Sequence, residues 1–187
     1  MGKPLILSTS LRGFFFEGLD DLNKKSLCPV PDSIIYYTSD VLDKFALSET
    51  FFDFNEGKVR QKILGIKLLE AVQMNKEEQR KVYKEVADMS LLTCGYFSES
   101  VNKKIVDKTY YSQLGKMAYQ QLNSVTPSFL DIPSFYQMFA TCFEPMTTLL
   151  MLLASKERHY QRVLKGELSE EELLVSGVHS HSLAKVN

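Results

Sequence analysis

Apolar residues recur along most of this chain at spacings of three and four, the period of a helix that buries one face. The pattern predicts a series of amphipathic helices separated by proline-containing breaks such as Pro29–Pro31 and Pro127. Their expected ranges are Leu5 to Lys25, Asp32 to Leu47, Lys58 to Met74, Asn75 to Phe97, Asp107 or Thr109 to Ser124, and Ser134 to beyond Leu153. The short run Leu5 to Leu7 is the one rival strand.

The boundary between the third and fourth helices carries the clearest local signal. Asn75 is a preferred N-cap residue, and Glu78 stands three positions later, as in a capping box. In the linker before this pair, Phe51, Phe52 and Phe54 are too apolar for a free loop, so we expect them to plug the edge of the core.

The last long apolar stripe runs from Phe135 to Leu153 and keeps its register past Pro145, which predicts one kinked helix. Its apolar tract, Met138 to Ala154, is shorter than the roughly 20 residues of a membrane span and contains one acid, Glu144. That carboxyl is either an acid or base with a raised pKa or a surface group beside the kink. We expect the surface group.

These elements predict an all-α, single-domain bundle of six or seven helices. Glycine and proline number only 9 and 6 among 187 residues, which is typical of long elements with few turns. We expect the helical domain to cover residues 1–175, including a short acidic helix start at Leu168–Glu172, and residues 176–187 to form a flexible tail.

The charges nearly cancel, with 22 basic and 23 acidic residues, which removes the usual electrostatic reason to expect nucleic-acid binding. The balance conceals an acidic first third and a basic stretch from Lys58 to Lys84, a polarity that is able to steer a partner. Three dispersed cysteines, Cys28, Cys94 and Cys142, predict free, half-buried thiols and a cytoplasmic location.

No pattern of catalytic or metal-binding residues stands out. The sequence has no phosphate-binding glycine loop, no HExxH and no GxSxG, so we expect no catalytic residues, no metal and no cofactor. Histidine is confined to His159, in a charged segment, and to His179 and His181, which we interpret as part of the solvated tail.

Three aromatic doublets are the more suggestive feature: Tyr36–Tyr37, Tyr96–Phe97 and Tyr110–Tyr111. Neighbouring residues on a helix point about 100° apart, so one member of a doublet packs inward while the other faces elsewhere. Exposed tyrosines favour partner contacts because they combine apolar area with a polar tip. Core packing of all six side chains is the alternative.

The segment from Gly95 to Leu122 (GYFSES, then VDKTYY, then GKMAYQQL) resembles a family of small, uncharacterised helical proteins common in deltaproteobacteria. The resemblance implies a bacterial cytoplasmic origin and supplies no activity or catalytic residue. In physical terms, Gly95 and Gly115 permit close helix contacts, and Asp107 is placed to cap the helix that bears the third doublet.

We therefore expect a non-catalytic interaction or regulatory module that acts through protein–protein contacts, with a protein partner or a second copy of itself. The binding residues predicted for it are Tyr96, Phe97, Tyr110 and Tyr111. One alternative is a small-molecule sensor with an apolar, aromatic-lined pocket. An unrecognised enzyme is the weaker alternative, and it rests on Glu144 and scattered acids.

Overall fold

The computed structural model of the chain describes residues 10–46, 58–101, 108–126 and 134–164. These residues contain helices and no strand, which confirms the all-α, single-domain bundle. The helices are α1 (Leu11–Lys24), α2 (Asp32–Ala46), α3 (Lys58–Ala71), α4 (Lys76–Cys94), α5 (Ser98–Val101), α6 (Lys108–Val125), α7 (Phe135–Thr141) and α8 (Phe143–Leu164). Since α5 is a single turn, seven helices build the bundle.

Several sequence predictions lie outside the described residues. They are the start of the first helix at Leu5, the three phenylalanines at positions 51, 52 and 54, the Asp107 cap, the helix start near Leu168, the tail 176–187 and its two histidines.

The predicted capping box at the start of α4 is confirmed. The Asn75 side chain accepts hydrogen bonds from the backbone N–H groups of Glu77 and Glu78, each at 3.0 Å. The Glu78 carboxylate in turn accepts the Asn75 N–H at 3.3 Å. Three N–H donors at the start of the helix are satisfied in this way, so this boundary is determined locally by the sequence.

Helix α4 occupies the centre of the bundle, where it packs most extensively against α6 and also against α3 and α8. The closest approaches occur at glycines, as the sequence predicted. A Cβ atom on Gly115 would lie 2.5 Å from the Phe143 ring, and one on Gly95 would lie 2.6 Å from the Cβ of Leu150. Hydrogen in place of a side chain is what lets α8 reach α6 and α4 at these two points.

The prediction of one helix kinked at Pro145 is wrong in its details. The structure has two helices, α7 and α8, which meet at Cys142 with an angle of 69° between them. A proline has no N–H to donate to the carbonyl four residues earlier, here that of Thr141, and its ring clashes with that carbonyl. The helix therefore breaks one turn before Pro145, and the proline lies in the first turn of α8, where it is tolerated.

Within the described residues, no individual helix has the length and hydropathy needed to cross a membrane. Helices α7 and α8 meet the length and hydropathy criteria only when the two are taken together across their bend. Phe139, Phe143, Met146 and Leu150 of this pair are fully buried in the core.

The three cysteines are free and differ in their surroundings: Cys28 is exposed, Cys94 is buried and Cys142 is intermediate. Burial raises the pKa of the Cys94 thiol to about 12, so it stays protonated at neutral pH.

Candidate functional site

Two of the predicted doublets divide between core and surface as expected. Tyr111 is 2% exposed and packs in the core, whereas Tyr110 is 38% exposed on α6. On α2, Tyr36 is 56% exposed, with the Arg12 guanidinium 4.1 Å from its ring centre, and Tyr37 turns inward. Substituting both residues of the third doublet would therefore damage the core, and only Tyr110 is a clean probe of surface contacts.

The Tyr96–Phe97 doublet is half-buried and engaged inside the bundle. The Tyr96 hydroxyl donates to the Glu157 carboxylate on α8, and the Phe97 ring lies 5.4 Å from that of Phe45 on α2. Burial is the main cause of the raised pKa of both Tyr96 and Glu157. These two predicted site residues thus connect the end of α4 to α8 and α2.

The surface interpretation of Glu144 is confirmed. Its side chain is 69% exposed, and the Lys116 ammonium lies 2.5 Å from its carboxylate. An exposed ion pair of this kind joins α8 to α6 and contributes at most about 1 kcal/mol.

A polar cluster around Asp88 on α4 was not predicted. Its Oδ1 accepts hydrogen bonds from the hydroxyls of Tyr37 at 2.8 Å and Tyr119 at 2.9 Å. Its Oδ2 accepts one from the Lys84 ammonium at 2.8 Å, and that ammonium also lies 2.5 Å from the Tyr37 hydroxyl. The cluster therefore joins α2, α4 and α6 through one carboxylate that is only 17% exposed.

Aromatic rings surround this cluster. The Tyr119 ring lies 4.3 Å from that of Phe139, and the Tyr37 ring lies 5.3 Å from the same phenylalanine. The Lys84 ammonium sits 4.3 Å from the centre of the Tyr37 ring, in cation–π contact. Burial, followed by the negative charge of Asp88, raises the pKa of Tyr37 and of Tyr119 well above the ordinary tyrosine value.

The Asp88 cluster fits a structural role. Both carboxylate oxygens have donors supplied by the chain itself, and a satisfied network of this kind fixes how helices pack against one another. Sequence spacing gave no warning of it, because Tyr37 and Asp88 are 51 positions apart.

The outer side of α6 has an unusual composition. Its exposed side chains carry no charge, whereas α1, α2, α4 and α8 each expose charged residues among those the structure describes. Of the two lysines of α6, Lys116 lies at the edge of this side, 34% exposed and paired with Glu144, and the Lys108 ammonium lies 3.0 Å from the Met151 sulfur. The exposed residues of α6 are Thr109, Tyr110, Gln113, Met117, Gln120, Gln121 and Ser124.

Helix α3 is apolar on two sides. Leu64, Leu68 and Ala71 are buried in the core. Its outward side carries Ile66 and Leu69, which are 42% and 74% exposed, and Val72, directly after the end of the helix, is 68% exposed. Glu70 is also exposed, beside Leu69 in the chain. At 100° per residue, the three apolar positions fall within an arc of about 120°.

The two outer surfaces meet at Gly65, which lies inside that arc on α3. The Tyr110 hydroxyl of α6 is 2.5 Å from the position that a Cβ on Gly65 would take. We call the combined surface the α3–α6 face: Ile66 and Leu69 of α3 and Val72 directly after it, together with the uncharged exposed residues of α6. Interfaces are depleted in Lys, Glu and Asp and enriched in Tyr and Met, which is the composition found here.

Of the four predicted binding residues, the α3–α6 face includes Tyr110 alone. Its remaining residues were missed, although the sequence held a usable signal. Uncharged positions recur along α6 at spacings of three and four, opposite the buried Gly115, Tyr119 and Leu122. A helix whose exposed side lacks charged residues is a sequence signal for a contact surface, as is a helix with apolar residues on that side.

Among the described residues, no group of three or more His, Cys, Asp or Glu side chains is arranged to hold a metal ion. No family model matches the chain, and neither curated proteins nor solved structures show significant similarity to it. The resemblance of the Gly95–Leu122 segment to deltaproteobacterial helical proteins therefore stays a prediction.

Proposed function

We propose that this protein is a non-catalytic helical module that binds another protein through the α3–α6 face. The observation that carries the proposal is the absence of charged residues among the exposed residues of α6, together with the exposed Ile66 and Leu69 of α3 and Val72 directly after it. Covering the exposed apolar side chains of this surface with a partner removes them from water, which is favourable.

The Asp88 cluster fits a structural role better than that of a general base. Asp88 is the most shielded carboxylate among the described ion pairs, and its oxygens are held by Tyr37, Tyr119 and Lys84. A general base must instead have a free oxygen within hydrogen-bond reach of a substrate proton. The rings that would line a sensor pocket pack against one another at 4.3 to 6.3 Å, which favours a filled aromatic core.

Affinity capture from a lysate of the source cells tests the proposal. Met117 and Phe14 are both 50% exposed, on α6 and α1 respectively, so Met117→Glu and Phe14→Glu form a matched pair. We expect wild-type protein and Phe14→Glu to retain the same partner, and Met117→Glu to lose it. Capture that is lost only with Phe14→Glu, or with neither variant, contradicts the proposal.

A further inference from the structure

We propose that the partner of the α3–α6 face is a second copy of this chain, with the two α6 helices packed antiparallel around a twofold axis at Met117. This inference rests on the proposed function and names the occupant of its surface. Twofold pairing requires one surface to complement itself, because the same patch serves both copies.

The absence of charge among the exposed residues of α6 restricts which surface is able to cover this helix. A charged group buried against it would lose hydration without gaining an opposite charge, which costs several kcal/mol. The covering surface must therefore be uncharged as well. The chain's own α6 meets this condition, and a net charge of −1 at pH 7 gives two copies little mutual repulsion.

The order of residues along α6 makes the face complementary to itself. Measured from Met117, the exposed side chains of Tyr110, Gln113, Gln121 and Ser124 stand at −7, −4, +4 and +7. Antiparallel pairing about Met117 therefore places Gln113 opposite Gln121 of the second copy, and Tyr110 opposite Ser124. Each amide has both donors and an acceptor and each hydroxyl can donate and accept, so every pair is able to hydrogen-bond.

The apolar centre and the spacing fit helix packing. Met117 meets its own copy at the axis, where flexible thioethers adapt to each other's shape. The spacings of 3, 4, 4 and 3 average 3.5 residues, the repeat that keeps one seam facing a partner helix. The twofold axis also brings the carboxyl-terminal half of one α6 beside Tyr110 of the other, whose hydroxyl lies next to Gly65 of α3.

The size of the face predicts a weak dimer. It offers about half of the roughly 20–30 residues per side that a standard interface contains. We therefore expect a dissociation constant in the micromolar range, with monomers prevailing in dilute solution.

Sedimentation equilibrium of the full chain, from submicromolar to near-millimolar concentration, tests this inference. The wild-type mass is expected to rise from 21.4 kDa toward twice that value. Met117→Glu and Met117→Lys each bring like charges together at the axis, and each is expected to weaken pairing by about tenfold or more. Phe14→Glu is the matched control and keeps the wild-type constant.

Mixing Met117→Glu with Met117→Lys is the decisive experiment. The two opposite charges are able to pair only if residue 117 of one chain contacts residue 117 of the other. We expect the mixture to associate more tightly than either variant alone, with circular dichroism showing that both variants fold. A wild-type mass that stays monomeric, a Met117→Glu dimer of unchanged strength, or a mixture no tighter than its components overturns the inference. If the chain is monomeric while lysate capture still depends on Met117, the proposed function stands and this inference fails; if capture is also unaffected, both fail.

Discussion

The Asp88 carboxylate connects three helices because it accepts hydrogen bonds from side chains of α2, α4 and α6. Tyr37 and Tyr119 donate from α2 and α6, and Lys84 donates from the preceding turn of α4. Removing the carboxylate would leave two buried phenols without their acceptor, and each unsatisfied group costs about 1–3 kcal/mol. This one side chain therefore connects α2 and α6 to α4 and contributes to how the three helices pack.

The raised pKa of Tyr37 and Tyr119 makes stability depend on pH in the alkaline range. Unfolded phenols ionise above about pH 10, whereas these two stay neutral while the chain is folded. Their stabilising contribution is thus fully present below pH 10 and is lost as pH rises above it. Each phenol steepens the loss of unfolding free energy by up to about 1.4 kcal/mol per pH unit.

Tyr119→Phe isolates one of these contributions. We expect the variant to lose about 1 kcal/mol at neutral pH with its hydrogen bond, and to show a shallower fall of unfolding free energy above about pH 10. Urea unfolding at a series of pH values measures both effects. Parallel pH profiles for wild type and variant would mean that Tyr119 is not shielded as described.

At the scale of elements, the boundaries that a local motif sets are the ones that the sequence predicted well. The box of Asn75 and Glu78 places the start of α4 without reference to any other helix. The sequence placed the bend at Pro145 because the spacing of apolar residues continues unchanged past it. The structure bends at Cys142 instead, because Pro145 has no N–H to donate to the Thr141 carbonyl. The Asp88 cluster was beyond prediction, since its contacts depend on how three separate helices pack.

Two helical glycines provide a matched test of the close helix packing. In Gly115→Ala the new Cβ meets the buried Phe143 ring at 2.5 Å, so we expect a loss of about 1–3 kcal/mol in unfolding free energy. In Gly65→Ala the nearest atom is the hydroxyl of the partly exposed Tyr110, which is free to swing aside. That variant keeps its stability or gains up to about 1 kcal/mol from helix propensity.

Thermal or urea unfolding of both glycine variants gives the comparison. Equal effects of the two substitutions would contradict the packing of α6 against α8 at Phe143. Circular dichroism of the folded variants checks that each retains its helix content.

At the scale of the whole molecule, the described residues combine a well-filled core with a helix, α6, whose exposed residues carry no charge. Phe139, Phe143 and Tyr119 fill the space between α6, α7 and α8. On the outside, Leu69 of α3, Val72 directly after that helix and Met117 of α6 are exposed. The sequence predicted the class of fold and an interaction role, but identified one residue of the α3–α6 face, because the other residues stand out only once the inward side of each helix is known.

Site-specific photo-crosslinking tests most directly whether the α3–α6 face contacts another protein. A photo-reactive phenylalanine analogue is introduced in place of Met117 on α6, and in place of Phe14 on α1 as the equally exposed control. After irradiation in the source cells, we predict a covalent protein adduct at position 117 and none at position 14. An adduct at position 14 alone, or at neither position, would contradict the proposal that this protein binds its partner through the α3–α6 face.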